Sequence, residues 1–198
     1  MEKTGTPKDT ALRVASDLLE IKAIQLNKSQ PFTWSSGWKS PIYCDNRMSL
    51  SFPATRTYIK KALAEACKSL YPEAQSIAGV ATAGIPQGAL LADEVDLPFI
   101  YVRSSPKGHG MENLIEGKVA PGQKVVIVED LISTGGSSLK AAEALKAAGY
   151  EVLGMLAIFT YGFPLADDNF EKAGIKLHCL SNYSVMLEKA KELGYVNQ

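Results

Sequence analysis

The chain predicts an α/β domain built on a parallel central sheet flanked by helices, with a smaller lobe of helix and short strands at its N-terminal end. Three observations lead there. From residue 76 onward, apolar runs of strand length alternate with stretches of helical periodicity. One run, Lys124–Val128, is continuously apolar, as in a strand buried on both faces. Residues 31–50 break the alternation, setting Phe32, Trp34, Trp38 and Tyr43 among Ser, Gly, Lys and Pro. At 198 residues the chain makes one medium domain, or a domain with a small subdomain.

Each element has its own signal. Ala11, Val14, Ala15, Leu18 and Ile21 recur at helical spacing and predict a helix over 10–26. Residues 31–50 read as short strands and turns. Pro53 opens a second helix, with Ile59, Leu63, Cys67 and Leu70 on one face. Then follow a strand over Ser76–Val80, a helix over Pro86–Glu94, a strand over Pro98–Val102 and a polar stretch to Lys118. After the strand Lys124–Val128 come a helix over Ser137–Ala148 closed by Gly149, strands over Val152–Phe159 and Lys176–Leu180, and a final helix over 183–193.

Composition excludes several classes of function. Apolar residues make up 46% and charged residues 21%, as in an ordinary globular protein. Lys plus Arg (21) balances Asp plus Glu (21), so no net charge draws the chain to nucleic acid or a membrane surface. Cys44, Cys67 and Cys179 are far apart in sequence, which leaves no CxxC pattern and reads as free thiols in a reducing compartment. Residues 1–7 hold no apolar signal-peptide core, and no apolar run is long enough to span a bilayer. The expectation is a cytoplasmic protein.

The strongest chemical signal follows Lys124–Val128. Glu129 and Asp130 stand at the end of that strand. Leu131, Ile132, Ser133, Thr134, Gly135, Gly136 and Ser137 lead from it into a helix. Ligands of open α/β sheets bind beyond the carboxyl ends of strands. Small residues there let backbone N–H groups turn toward an anion, and the helix N-terminus adds partial positive charge. The acids are acceptors suited to ribose hydroxyls and could help position a divalent cation. The run is neither a Walker loop nor a GxGxxG fingerprint. A plain strand-to-helix turn would explain the glycines and one hydroxyl. It would not explain two adjacent acids and three hydroxyls within five residues.

Three further segments carry weaker signals. Arg103, Lys107 and His109, with Gly108 and Gly110, lie in the polar stretch 103–118; such a loop could close over a charged leaving group, or be simply solvated. Gly79–Pro86 is a second turn of small residues, whose amides could face an anion or merely pack closely. Residues 32–47 combine aromatics and hydroxyls with Lys39 and Arg47, and by themselves read as a small hydrophobic hairpin with solvated cations. His178, between Leu177 and Cys179, reads as a core or edge histidine.

The run Val126–Ser137 resembles the PRPP-binding motif of the type I phosphoribosyltransferases, and within them most resembles the orotate phosphoribosyltransferases. The likeness runs across most of residues 10–190. It implies a hood at 1–50 over the base and a phosphoribosyltransferase core at 51–198. Glu129 and Asp130 would hold ribose hydroxyls, Thr134 to Ser137 would wrap the 5-phosphate, and Ser133 would lie close to the base. The stretch 103–118 is similar to the family's mobile loop, in which Arg103, Lys107 and His109 would reach pyrophosphate in the neighbouring subunit of a homodimer. Magnesium, held mainly through PRPP, is the implied cofactor. The implied reaction transfers phosphoribose from PRPP to orotate, giving orotidine 5′-phosphate and pyrophosphate in pyrimidine biosynthesis. Ser104 stands where many relatives carry Lys, so one phosphate-contacting charge is missing or supplied elsewhere; Ser35 and Ala83 stand where some relatives carry Lys, which leaves Lys39 and Arg47 as candidates for the orotate carboxylate. The alternatives are a phosphoribosyltransferase for another base, decided by residues 31–47, and a PRPP-sensing regulator, for which no DNA-binding helix is evident.

Overall fold

The computed structural model describes residues 6–27, 31–33, 39–105 and 114–195. Helix α1 (Lys8–Glu20) is followed by strands β1 (Ile24–Leu26), β2 (Phe32–Thr33), β3 (Lys39–Ser40) and β4 (Ile42–Cys44) and a 3-10 turn, Asn46–Ser51. The core then runs α2 (Pro53–Leu70), β5 (Ser76–Val80), α3 (Gly84–Val95), β6 (Phe99–Val102), β7 (Ile115–Glu116), β8 (Lys124–Ile132), α4 (Gly136–Ala147), β9 (Glu151–Thr160), α5 (Pro164–Ala173), β10 (Leu177–Asn182) and α6 (Tyr183–Glu192).

Six strands form the central sheet in the order β10-β9-β8-β5-β6-β7; all neighbours are parallel except the β6–β7 hairpin. This is the expected parallel sheet flanked by helices. Val126, Val128, Leu156 and Ile158 pack on one face with Val14, Leu18, Ile59, Leu63, Leu91 and Met186, from α1, α2, α3 and α6. Val125, Ile127, Met155 and Ala157 pack on the other with Ala141, Leu145, Ala166 and Phe170, from α4 and α5. Burial on both faces explains why the strand runs were so apolar.

The chain order creates a switch point. From β5 the chain moves outward to β6, then returns to β8 on the opposite side of β5. The connections leaving β5 and β8 therefore diverge to opposite faces and open a crevice at the carboxyl ends of the two strands, where such sheets bind ligands.

Four elements depart from the expectations. The first helix ends at Glu20 rather than residue 26, because the chain turns through Lys22 at φ +61° and β1 pairs with β4. Strand β8 continues past Val128 to Ile132, since Leu131 and Ile132 still pair with Phe159 and Thr160. The polar stretch after β6 begins and ends in a hairpin, with Val102 opposite Ile115. Helix α5, between β9 and β10, was not expected at all. Only Ala166 and Phe170 of its ten residues are buried, so its apolar stripe is too thin to read.

Candidate functional site

Strand alternation sends neighbouring side chains to opposite faces, yet the two acids at the end of β8 keep their carboxyls within hydrogen-bonding reach of each other. Glu129 turns toward α4, where the Ser138 hydroxyl donates to its Oε2 at 3.0 Å. The Asp130 backbone N–H donates to its Oε1 at 3.0 Å. Asp130 turns toward the N-terminal lobe, where Arg47 exerts its charge on it. Burial is the main cause that holds both carboxyls above their ordinary range; the charge of Asp130 adds to the effect on Glu129, and Arg47 opposes it on Asp130. Two partly desolvated carboxylates at a crevice floor are ready acceptors for hydroxyl donors or for a cation.

Beyond them the backbone turns through Gly135 at φ +80°. A Cβ there would meet Cε2 of Phe170 at 2.5 Å, so both the backbone angle and the close approach of α5 require glycine. Asn169 Nδ2 donates to the Thr134 carbonyl at 3.0 Å. Helix α5 thus props the turn from behind. Thr134, Gly136 and Ser137 are exposed and Ser133 is half-buried. No side chain caps α4, so the N–H groups of its first turn are open to an anion.

A second open helix end lies beside the first. Helix α3 also lacks a side-chain cap. A Cβ on Gly84 would stand 2.5 Å from the Val128 carbonyl oxygen, so glycine lets the turn after β5 lie directly against β8. The crevice therefore offers two uncapped helix N-termini and, between them, two carboxyls. That set matches a sugar carrying phosphate groups at two positions.

Comparison with known proteins agrees. The model of the phosphoribosyl transferase domain matches residues 55–176. The orotate phosphoribosyltransferase of Cytophaga hutchinsonii is 60% identical over 93% of this chain and 88% of its own. That of Streptococcus pneumoniae serotype 4 is 58% identical over 92% of this chain and 87% of its own. These alignments take in more of the chain than the domain model does. The chain belongs to the orotate phosphoribosyltransferase family. The crystal structure of the Aeropyrum pernix orotate phosphoribosyltransferase superposes with a TM-score of 0.81 at 30% identity, covering 93% of this chain and 99% of that one.

As an orotate phosphoribosyltransferase the chain places its other candidate residues unevenly. Leu131 and Ile132 lie within β8, with Ile132 buried, so they can offer the loop backbone rather than side chains. Arg103 stands at the end of β6, its Nη1 3.5 Å from Glu116 Oε1 at the base of the hairpin. Lys107 and His109 lie outside the described residues, as do Trp34, Ser35 and Trp38. Lys39 is exposed on β3. Arg47 grips Asp45 with two contacts, Nε to Oδ1 at 2.6 Å and Nη2 to Oδ2 at 2.9 Å, and this pairing pulls the Asp45 carboxyl below its ordinary range.

Sequence reasoning missed Ser138, Phe170, Asn169 and Asn46, all of which touch the loop or its acids. Ser138 was within reach, since it follows Ser137 in the same motif; the others come from distant segments. A cavity of about 780 Å³ lies behind Phe170 between α5, β10 and the start of α6, away from the acids. Its lining contains Asp167 and Glu171 but no basic residue, which makes it a poor phosphate site. No helix among the described residues is long and apolar enough to cross a membrane.

Proposed function

We infer that the chain transfers the 5-phosphoribosyl group of PRPP to orotate, giving orotidine 5′-phosphate and pyrophosphate in pyrimidine biosynthesis. The observation that carries this reading is the pairing of uncapped α3 and α4 N-termini across Glu129 and Asp130, in a chain of this family. The α4 turn, Thr134 to Ser137, takes the 5-phosphate. Asp130 and Glu129 accept from the ribose hydroxyls. The turn before α3 faces the pyrophosphate with backbone amides, which suits the absence of a lysine at Ala83.

Breaking the C1–O bond leaves positive charge on the ribose ring and negative charge on pyrophosphate, while N1 of orotate supplies the electron pair for the new bond and gives up its proton to solvent. No protein nucleophile is needed. The chain's task is to align the base with C1 and to neutralise the leaving group. Arg103, Lys107 and His109 do the latter, delivered by the 103–118 loop of the neighbouring subunit in a homodimer. Ser133 lies nearest the base, and Lys39 and Arg47 are the cations available to its carboxylate.

Magnesium fits this donor set as a passenger of the substrate. Among the described residues no three His, Cys, Asp or Glu side chains gather into a metal site. Glu129 and Asp130 alone would leave most of an octahedral shell to PRPP oxygens and water. Bound in that way, the ion supplies further charge neutralisation to the departing pyrophosphate.

The test is magnesium-dependent release of pyrophosphate from PRPP against a panel of bases. Orotate is expected to support turnover in strong preference to uracil, adenine, guanine and hypoxanthine. No turnover with orotate would refute the reading, and release with a purine instead would move the chain to another branch of the superfamily.

A further inference from the structure

Asn46 joins two parts of the molecule that are 84 residues apart in sequence. Its side-chain Nδ2 donates to the backbone carbonyl of Asp130 at 2.7 Å. Its Oδ1 accepts from the Cys44 thiol at 3.2 Å. Both Asn46 and Ser49 are fully buried. The Ser49 hydroxyl donates to the Asn46 carbonyl at 2.7 Å and accepts from Gln87 Nε2 at 3.2 Å.

The orientation of the Asn46 amide is determined by its partners. A backbone carbonyl can only accept, so the NH₂ group must face Asp130. The thiol of Cys44 is held protonated by burial and donates to the other end. A flipped amide would set two acceptors against each other at Asp130 and leave the thiol without one. The side chain thus has a single satisfied pose, and that pose fixes the carbonyl of the residue that carries the second acid.

We propose that Asn46 is a positioning residue that ties the turn after β4 to the Asp130 peptide, so that steadying of residues 42–49 and capture of the ribose are one event. The inference rests on the reading of Asp130 as a ribose-binding acid. The 3-10 turn beginning at Asn46 starts one residue after β4, so any shift of β4 is passed to the amide that holds the Asp130 peptide. In turn, a ribose that draws on the Asp130 carboxylate steadies Asn46 and the adjoining β4 before any base arrives, since coupling between two sites is reciprocal.

Two experiments test this. In the wild-type protein, PRPP with magnesium and no orotate is expected to slow amide hydrogen exchange across residues 42–49. Unchanged exchange there, in a protein shown by thermal shift to bind PRPP, overturns the coupling; failure to bind PRPP at all would instead indict the underlying reading.

The second uses variants. Asn46→Asp keeps the shape and the acceptor for Cys44 but loses the donor. It is expected to raise KM for PRPP about tenfold with kcat within about threefold, the size of one lost hydrogen bond. The ratio of its KM to that of wild type should fall as pH is lowered from 8.5 to 6, because the introduced carboxyl regains a donor when protonated. Ser49→Ala removes a bond from the same buried network without touching Asp130 and is expected to leave KM for PRPP near wild type. Equal changes in Ser49→Ala and Asn46→Asp, or a KM ratio that is flat with pH, would show that Asn46 is merely structural.

Discussion

The Ser138 hydroxyl donates to Glu129 Oε2 at 3.0 Å, giving a buried carboxyl on the floor of the crevice one of its few donors. Burial, and then the charge of Asp130, push the Glu129 carboxyl up to about 8 from the ordinary 4.5. Between these limits the folded protein holds a proton that the unfolded chain has lost. The stabilisation is complete below pH 4.5 and disappears as pH rises through about 8. Unliganded wild type should therefore lose stability across this window relative to Glu129→Gln, by up to about 1.4 kcal/mol per pH unit. Melting curves of the two proteins from pH 5 to 9 check this, and parallel curves would contradict it. Ser138→Ala removes a bond that favours the anion. It should move the midpoint of the dependence upward and cost about 1–2 kcal/mol at alkaline pH.

The same carboxyl should make ligand binding pH-dependent. Ribose hydroxyl donors and a nearby cation both favour its ionised form. PRPP binding at pH 7 is then expected to release a fraction of a proton. Calorimetry in two buffers of different ionisation enthalpy measures that release, and Glu129→Gln should reduce it.

Gly135→Ala tests the support of the phosphate turn. The substitution forces a side chain into left-handed backbone and against the Phe170 ring. About 2–5 kcal/mol of destabilisation is expected from these two causes together. Phe170→Leu in the same chain should recover part of the loss, because a smaller side chain relieves the contact but not the backbone strain. Additive effects in a double-mutant cycle of denaturation midpoints would show that the ring is not the obstacle.

The contrast between Gly135 and Phe170 also shows what the sequence could and could not reveal. Gly135 was legible because a local motif of acids, hydroxyls and glycines lies within nine residues of one chain segment. Strands β5, β8 and β9 were legible because burial on both faces makes them uniformly apolar. Phe170 was not. It belongs to a short polar helix whose two buried residues look like chance, although Pro164 at its start and Gly174 at φ +64° beyond its end were available as boundary signals. Glu129 and Asp130 appeared to end β8, because charge argues against a buried strand; the pairing of Leu131 with Phe159 outweighs that local cost. Asn46 had no local signal, since its role exists only across the 84 residues that separate it from Asp130.

Lys107→Ala should lower kcat far more than it weakens PRPP binding, because the charge it offsets develops as pyrophosphate leaves. The proposal that the loop acts in the neighbouring subunit has a separate test. Asp130→Asn damages the ribose site but leaves the loop intact. If loops act across the dimer, a heterodimer of Lys107→Ala and Asp130→Asn chains has one site with both defects and one with none. Equal mixing after exchange of subunits should then restore about a quarter of wild-type activity. If each loop serves its own site, every site keeps a defect and mixing restores nothing.

Arg47 offers the last prediction. Its guanidinium is held in place by two contacts to Asp45 yet its side chain is 60% exposed, and it lies close enough to Asp130 to act on that carboxyl. A cation that is pre-oriented and still accessible suits a planar carboxylate better than an unanchored one. Orotate and uracil differ by that carboxylate, so their kcat/KM ratio isolates its recognition from binding of the ring. Arg47→Ala is expected to narrow the preference for orotate by about ten- to a hundredfold, the range of a charge-assisted hydrogen bond. Lys39→Ala should leave the preference nearly intact, because Lys39 is exposed on the two-residue strand β3. The reverse pattern would assign the carboxylate to Lys39. A preference unchanged in both variants would mean that backbone donors of the N-terminal lobe hold it, with Arg47 serving only to keep Asp45 and Asp130 ionised.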